Sequence, residues 1–195
     1  MISVNRIDDN VPESVGPALP GVEVKLSASG ELLARGDNVM MGYWRNAEAS
    51  RASLEPDGWL HTGDLAEIRD GKIYIRGRAK DVMVMSNGEK LPPQDAEFAI
   101  LHDPVFEQVM LVGEGRPYPV LLAVSQETDD KALLQRANDM LKEFPRWVRV
   151  RRVIATREPW SVDNGLLTPT LKLKRPLVLQ KYKDAIDAAY AAPPE

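Results

Sequence analysis

The dipeptide Asp70-Gly71 constrains the fold more than any other local feature of this chain. It stands between two alternating runs, Leu65 to Arg69 and Lys72 to Arg76. Asp-Gly readily adopts the positive φ angles of a two-residue hairpin turn, so the runs read as paired antiparallel strands. Shorter β patterns precede them. Val22 to Leu26 alternates apolar with polar residues, Gly30 turns the chain toward a second strand around Leu32 to Ala34, and Gly36-Asp37 breaks it. Asn46 is a good N-cap for a short helix reaching Leu54. Residues up to about Gly77 therefore read as a small β unit.

Beyond Arg78 the texture changes to alternating helices and strands. Val82 to Met85, Val109 to Val112 and Val120 to Val124 are apolar enough for strands. Pro92-Pro93 opens a helix to about His102, since proline is favoured in a first turn. Thr128-Asp-Asp130 opens another, with Leu133, Leu134, Ala137 and Leu141 on one face. Val148 and Val150 alternate with Arg149 and Arg151 as in a strand, and Arg152 reads as a bulge or strand end. A last helix is expected from Arg175 to Ala191, with Val178, Tyr182, Ile186 and Ala189 on one face. The fold class is α+β: a small β-rich subdomain over residues 1–79 and a compact α+β domain over residues 80–195.

Composition removes several function classes. The chain has no cysteine, which excludes disulfides, cysteine nucleophiles and thiolate metal sites. His61 and His102 are its only histidines, so a multi-histidine metal centre is excluded too. Of 195 residues, 44% are hydrophobic, ample for a core, yet no run is long enough to span a membrane. A net charge of −4 argues against a nucleic-acid partner. The start MISVNRIDDN lacks the pattern of a secretory signal. A cytoplasmic setting is expected, with peripheral attachment to a membrane open for the parent protein.

Four stretches carry residues suited to chemistry. In Gly58-Trp-Leu-His-Thr-Gly-Asp64, the aspartate at the start of a strand can accept two hydroxyl hydrogen bonds, as a ribose diol requires, or can cap its own turn. In Gly77-Arg-Ala-Lys-Asp81, Arg78 offers a fixed fork of donors for phosphate or ribose oxygens; Lys80-Asp81 also suits a charged turn. Ser86-Asn-Gly-Glu-Lys90 reads as a loop ahead of a helix that lets a ligand approach the backbone, or as a plain connection. In Asn164 to Arg175, a lysine before the last helix can meet developing phosphate charge, or simply face solvent.

Taken in order, these stretches resemble the adenylate-forming superfamily of acyl-CoA synthetases, luciferases and peptide-synthetase adenylation domains. The matching segments are Gly42-Tyr-Trp44, Asp57-Gly-Trp-Leu-His-Thr-Gly-Asp64, Ile73-Tyr-Ile-Arg-Gly-Arg-Ala-Lys-Asp81, Ser86-Asn-Gly-Glu-Lys-Leu-Pro-Pro93 and Thr168-Pro-Thr-Leu-Lys-Leu-Lys-Arg175. They cover nearly the whole chain, and the tail is most similar to long-chain fatty acyl-CoA synthetases.

The resemblance implies roles for particular residues. Asp64 would bind the ribose hydroxyls of ATP and of the acyl-adenylate, and Arg78 would contact ribose or phosphate. Lys80 falls at the family's hinge. Lys172 would bridge carboxylate and α-phosphate during adenylation. Asn87 and Gly88 would line the pantetheine tunnel that CoA uses in the second half-reaction. Two positions depart from the commonest pattern: Asn87 where many relatives have glycine, and Leu171 where many carry Thr-Gly-Lys. ATP, Mg²⁺ and CoA are the implied cofactors and co-substrates, with the Mg²⁺ ligands mostly outside this chain and no metal site within it.

No segment matches the family's Ser/Thr/Gly-rich phosphate loop, its adenine site or its acyl pocket. The resemblance thus implies a C-terminal fragment, starting in the last β-barrel subdomain of the large domain and lacking its own N-terminal domain. The expected parent is an AMP-forming ligase of long-chain fatty acids, with fatty acid, ATP and CoA as its partners and the fragment alone inactive. Two rivals stay open: an acyl-AMP ligase that loads a carrier protein, and a non-catalytic binding module.

Overall fold

The computed structural model describes residues 1–191. The chain divides into two compact units, Met1–Val82 and Met83–Glu195.

In the first unit, β1 (Glu23–Leu26), β2 (Glu31–Arg35), β3 (Leu60–Arg69) and β4 (Lys72–Arg78) form an antiparallel sheet in chain order. Asp70 and Gly71 both take positive φ, 49° and 74°, as a hairpin turn that follows strand twist requires. The β3–β4 pairing slips between Leu65 and Ala66, so that Leu65 opposes Gly77 while Ala66 opposes Ile75. The extra residue, Arg76, is a bulge of the kind that re-aims neighbouring side chains. Helix α1 (Ala47–Ser53) is capped by Asn46, whose side-chain oxygen accepts from the Ala49 N–H at 3.0 Å. Leu32, Ala66 and Ile73 form the small core, with Val24 against it.

The second unit begins with a hairpin of β5 (Met83–Val84) and β6 (Lys90–Leu91), followed by α2 (Pro93–Ile100). Then come β7 (Gln108–Val112), β8 (Val120–Val124), α3 (Asp130–Met140) and β9 (Arg152–Thr156). β8 is central, antiparallel to β7 and parallel to β9, with α3 as the crossover. Successive residues of a strand face opposite sides, and here both sides are covered. Val109, Leu111, Leu121, Ala123 and Val153 pack with residues of α2 and α3. Met110, Val112, Leu122 and Val124 pack with Trp160, Leu166, Val178 and Ile186 on the other face. That double cover is why Val120 to Val124 is one uninterrupted apolar run.

Two expectations are corrected. The strand assigned to Val148–Arg151 lies instead over Arg152–Thr156, and Arg152 opens it rather than ending it. Val148 and Val150 are indeed buried, but Pro145 starts a 3-10 turn over Arg146–Val148. The ladder then begins where Arg152 opposes Val120, because Pro119 accepts from the Arg151 N–H and has no N–H to return. The helix expected over 175–191 is two, α4 (Arg175–Lys181) and α5 (Lys183–Ala191). They break at Tyr182, whose φ of −101° and ψ of 14° leave the helical region while its hydroxyl accepts from Trp160 Nε1. The Gly-containing loop expected ahead of a helix is the turn of the β5–β6 hairpin, which Lys90 closes as the first residue of β6 and which α2 follows at Pro93.

Candidate functional site

Asp64 lies inside β3, four residues past its first residue Leu60, rather than at the start of a strand. It opposes Arg78 directly across the β3–β4 pair, and Arg78 Nε reaches Asp64 Oδ1 at 2.9 Å. Arg78 Nη1 also donates to the Thr62 carbonyl at 3.3 Å. The pair is accessible, with 53% of the Arg78 side chain and 30% of the Asp64 side chain exposed. An ion pair so open to water contributes at most about 1 kcal/mol, so a ligand offering hydroxyls or an anion can compete for either partner.

The backbone ahead of Asp64 is held from several sides. Gly63 takes φ 75°, a left-handed conformation that a side chain would resist, and a Cβ there would lie 3.4 Å from Arg78 Nη1. Thr62 Oγ1 donates to the Leu32 carbonyl at 2.7 Å and accepts from the Asp64 N–H at 3.1 Å. The Gly63 N–H donates to Glu31 Oε1 at 2.9 Å. The other Glu31 oxygen lies 2.9 Å from His61 Nδ1, and Glu55 Oε1 lies 3.1 Å from His61 Nε2.

The hydrogen bond to Glu31 raises the His61 pKa above its ordinary 6.5, against the opposing effect of burial and with further help from Glu55. Burial pushes the Glu31 carboxyl up, yet the bonds from His61 and the Gly63 N–H outweigh it and hold it below 4.5. The two shifts act at opposite ends of the pH scale. The His61 contribution to stability is complete below 6.5 and is lost as pH rises through the higher folded value. The Glu31 contribution is complete above 4.5 and is lost as pH falls through the lower folded value. Glu31, Glu55 and the role of His61 escaped the sequence reading; only pairing of β2 with β3 brings positions 31 and 61 together.

Lys80 sits in a one-turn 3-10 helix, Ala79–Asp81, with its side chain in solvent. That turn directly precedes the boundary of the two compact units at Val82 and Met83.

In the second unit, Asn87 and Gly88 form the exposed tip of the β5–β6 hairpin. Gly88 takes φ 85°, and Asn87 Oδ1 accepts from the Glu89 N–H at 3.0 Å, a local bond that shapes the turn. The sequence signal for this hairpin is the Asn-Gly dipeptide itself. The flank of β5 is also held, because Glu114 Oε2 accepts from the Val84 N–H at 2.8 Å and the Arg116 carbonyl accepts from the Ser86 N–H at 3.0 Å.

Lys172 ends a tight turn. The Leu171 N–H donates to the Thr168 carbonyl at 2.8 Å, the Thr168 N–H to the Lys172 carbonyl at 2.8 Å, and the Lys172 N–H to Thr168 Oγ1 at 3.0 Å. The Lys172 side chain stands in solvent on this rigid base. Just beyond it, Arg175 anchors the segment: Nη1 binds Glu97 at 2.8 and 3.0 Å, and Nη2 donates to the Leu111 carbonyl at 2.7 Å. Glu97 Oε1 also accepts from the Leu111 N–H at 2.6 Å, so α2, β7 and the start of α4 are tied at one point. The long sequence separation hid this anchor from the sequence reading.

Leu171 explains one departure from the commonest pattern. Its φ is 60°, the left-handed position that ends a three-residue hairpin loop and that glycine ordinarily fills. A branched or bulky residue there costs roughly 1–2 kcal/mol, partly returned by its smaller entropy in the unfolded chain. Leu171→Gly is expected to raise stability by about 0.5 kcal/mol net, and Leu171→Val, branched at Cβ, to lower it by about 1 kcal/mol. Urea unfolding of the two variants checks this, and a clear loss with glycine contradicts it.

Among the described residues, no group of three or more His, Cys, Asp or Glu is placed to hold a metal ion. No helix among them is long and apolar enough to cross a membrane.

The first unit thus carries an exposed carboxylate–guanidinium pair, and the doubly covered α+β unit carries a lysine turn. The family model of the AMP-binding enzyme C-terminal domain matches residues 80–193, and the chain belongs to that family. Similar curated proteins include the chloroplastic long-chain-fatty-acid acyl-carrier-protein ligase AEE15 of Arabidopsis thaliana, 29% identical over 98% of this chain and 31% of that protein. The long-chain-fatty-acid CoA ligase FadD15 of Mycobacterium tuberculosis is 28% identical over 97% of this chain and 36% of that protein. The chain thus spans about a third of the length of these relatives. Among solved structures, the A domain of carboxylic acid reductase from Segniliparus rugosus, in complex with AMP and a carboxylic acid, superposes with a TM-score of 0.77. It is 22% identical, covering 91% of this chain and 32% of that one, and the likeness is one of fold.

Proposed function

We propose that this chain is the C-terminal part of an AMP-forming acid–thiol ligase acting on long-chain fatty acids. The parent joins a carboxylate to ATP, giving acyl-AMP and pyrophosphate; the thiol of CoA then attacks the acyl-AMP to give the thioester and AMP. The observation that carries this reading is the lysine turn: a flexible cation held on a backbone fixed by three hydrogen bonds within the 168–172 loop, in a chain of this family.

In the first half-reaction two anions approach, the fatty carboxylate and the α-phosphate. Lys172 would sit between them and neutralise the charge that concentrates there, an electrostatic stabilisation set up before the reaction begins. Asp64 would accept the two ribose hydroxyls, and Arg78, released from Asp64, would turn its donors to ribose or phosphate oxygens. Mg²⁺ would take its ligands mostly from residues outside this chain and would screen phosphate charge. For the second half-reaction, rotation at Lys80 would replace the Lys172 turn by the Asn87-Gly88 hairpin, whose exposed backbone tip suits a pantetheine arm.

A second reading has one specific support: AEE15 is named for transfer to acyl-carrier protein. One assay separates the two. The full-length protein is supplied with fatty acid, ATP and either free CoA or carrier protein. AMP and pyrophosphate release with a CoA thioester is the expected result; thioester on the carrier alone favours the second reading, and release of ADP rejects both. The present 195 residues alone are expected to fold without catalysing pyrophosphate exchange, since none of their segments matches the phosphate loop. Exchange above background by this chain alone contradicts that.

A further inference from the structure

His61 stands between two carboxylates. Glu31 of β2 faces Nδ1 at 2.9 Å, and Glu55, in the turn after α1, faces Nε2 at 3.1 Å. Ionised carboxylates only accept hydrogen bonds, so both contacts are satisfied at once only when the ring carries a proton on each nitrogen. Neutral His61 keeps one bond and turns a lone pair toward the other carboxylate. Each acceptor residue also has a tie other than the ring. Glu31 is anchored on the Gly63 N–H at 2.9 Å, and the Glu55 backbone closes a turn with Trp59 at 2.8 Å. The Glu31 side chain is only 16% exposed, which shields these contacts from competing water.

What this cluster grips is the residue beside Asp64. Glu31 fixes Gly63, the position in left-handed conformation, through its N–H, and fixes His61 two residues earlier through its ring. Rotation of the Gly63 peptide would swing Asp64 away from Arg78, so the direction of the Asp64 carboxylate depends on a carboxylate of another strand.

We propose that Glu31 is a positioning residue for Asp64, with doubly protonated His61 as the lock that holds Glu31 in place. This rests on the reading of Asp64 as the acceptor of the ribose hydroxyls. Glu31 touches no substrate; it sets the geometry in which Asp64 meets one. The raised pKa of His61 extends the locked state toward neutral pH.

The test uses the full-length ligase, with steady-state adenylation measured against ATP across pH 5.5 to 8.5. Removing one charge-assisted contact should act on binding before and during reaction alike. Glu31→Ala is expected to raise the KM for ATP about tenfold with kcat within about threefold. Glu31→Gln should restore KM to within about threefold, because its amide oxygen can accept from Gly63 and its amide N–H can donate to a neutral ring. In the wild type KM for ATP rises with pH through the His61 transition. In Glu31→Gln and His61→Asn that rise is absent.

Asp64→Asn is measured in parallel. If it leaves KM unchanged, the reading of Asp64 falls and the proposal with it. If it raises KM while Glu31→Ala does not, the proposal alone is overturned. Should Glu31→Ala fail to fold, the pH profile of Glu31→Gln decides: a profile like that of the wild type overturns the lock.

Discussion

Lys172→Ala in the full-length ligase is expected to slow adenylation by at least ~10²-fold, the scale of losing one preorganised electrostatic contact. Thioester formation from supplied acyl-AMP should be largely spared, because that step builds no charge between a carboxylate and a phosphate. The Lys172 side chain stands in solvent, while the backbone hydrogen bonds of its turn come from Thr168 and the peptide groups and survive the substitution. Loss of activity therefore cannot be put down to collapse of the loop. The check is to assay both half-reactions separately; equal losses in the two contradict the assignment. Lys172→Arg adds a control, since a planar guanidinium keeps the charge but not the compact point-like ammonium.

The second large effect concerns Lys80. If the backbone at this position absorbs the rotation between half-reactions, its φ and ψ must take two sets of values. Proline fixes φ near −65° and pushes the preceding residue out of the α region. That residue is Ala79, the first of the present 3-10 turn. Lys80→Pro should then hold the protein near one orientation, retaining one half-reaction within ~10-fold and losing the other by far more, at about 1.4 kcal/mol of barrier per decade. Lys80→Ala should leave both nearly intact, because the side chain is in solvent and backbone freedom is what the hinge needs. If proline slows both half-reactions equally, or neither, Lys80 is an ordinary charged turn residue.

Both predictions start from residues that were legible in the sequence, yet their surroundings were not. Asp64 and Arg78 are fourteen positions apart in separate motifs, and each alone suits a turn or a surface. They meet because the β3–β4 register and the bulge at Arg76 bring them opposite one another. The sequence offered no sign of that bulge, since a one-residue slip depends on which face each strand buries. Glu31 gave still less signal, being one acidic residue after a turn glycine until strand pairing placed it beside His61 and Gly63. The Arg175–Glu97 anchor joins positions 78 residues apart, beyond any local pattern.

What the sequence determined by itself were features in which the deciding forces act within a few residues. Asp70-Gly71 sets its own positive φ angles, Asn46 caps its own helix, and the apolar run Val120 to Val124 reads as a strand. The order of the motifs settled the family on the same footing, since each is a contiguous stretch. Tertiary structure decided where partners had to be chosen. The β9 ladder starts at Arg152 because Pro119 cannot donate to it, and the last helix breaks at Tyr182, where the ring packs on Trp160. The lock of Glu31, His61 and Glu55 belongs to the same class: its energy comes from three groups on separate segments, and no local propensity encodes it.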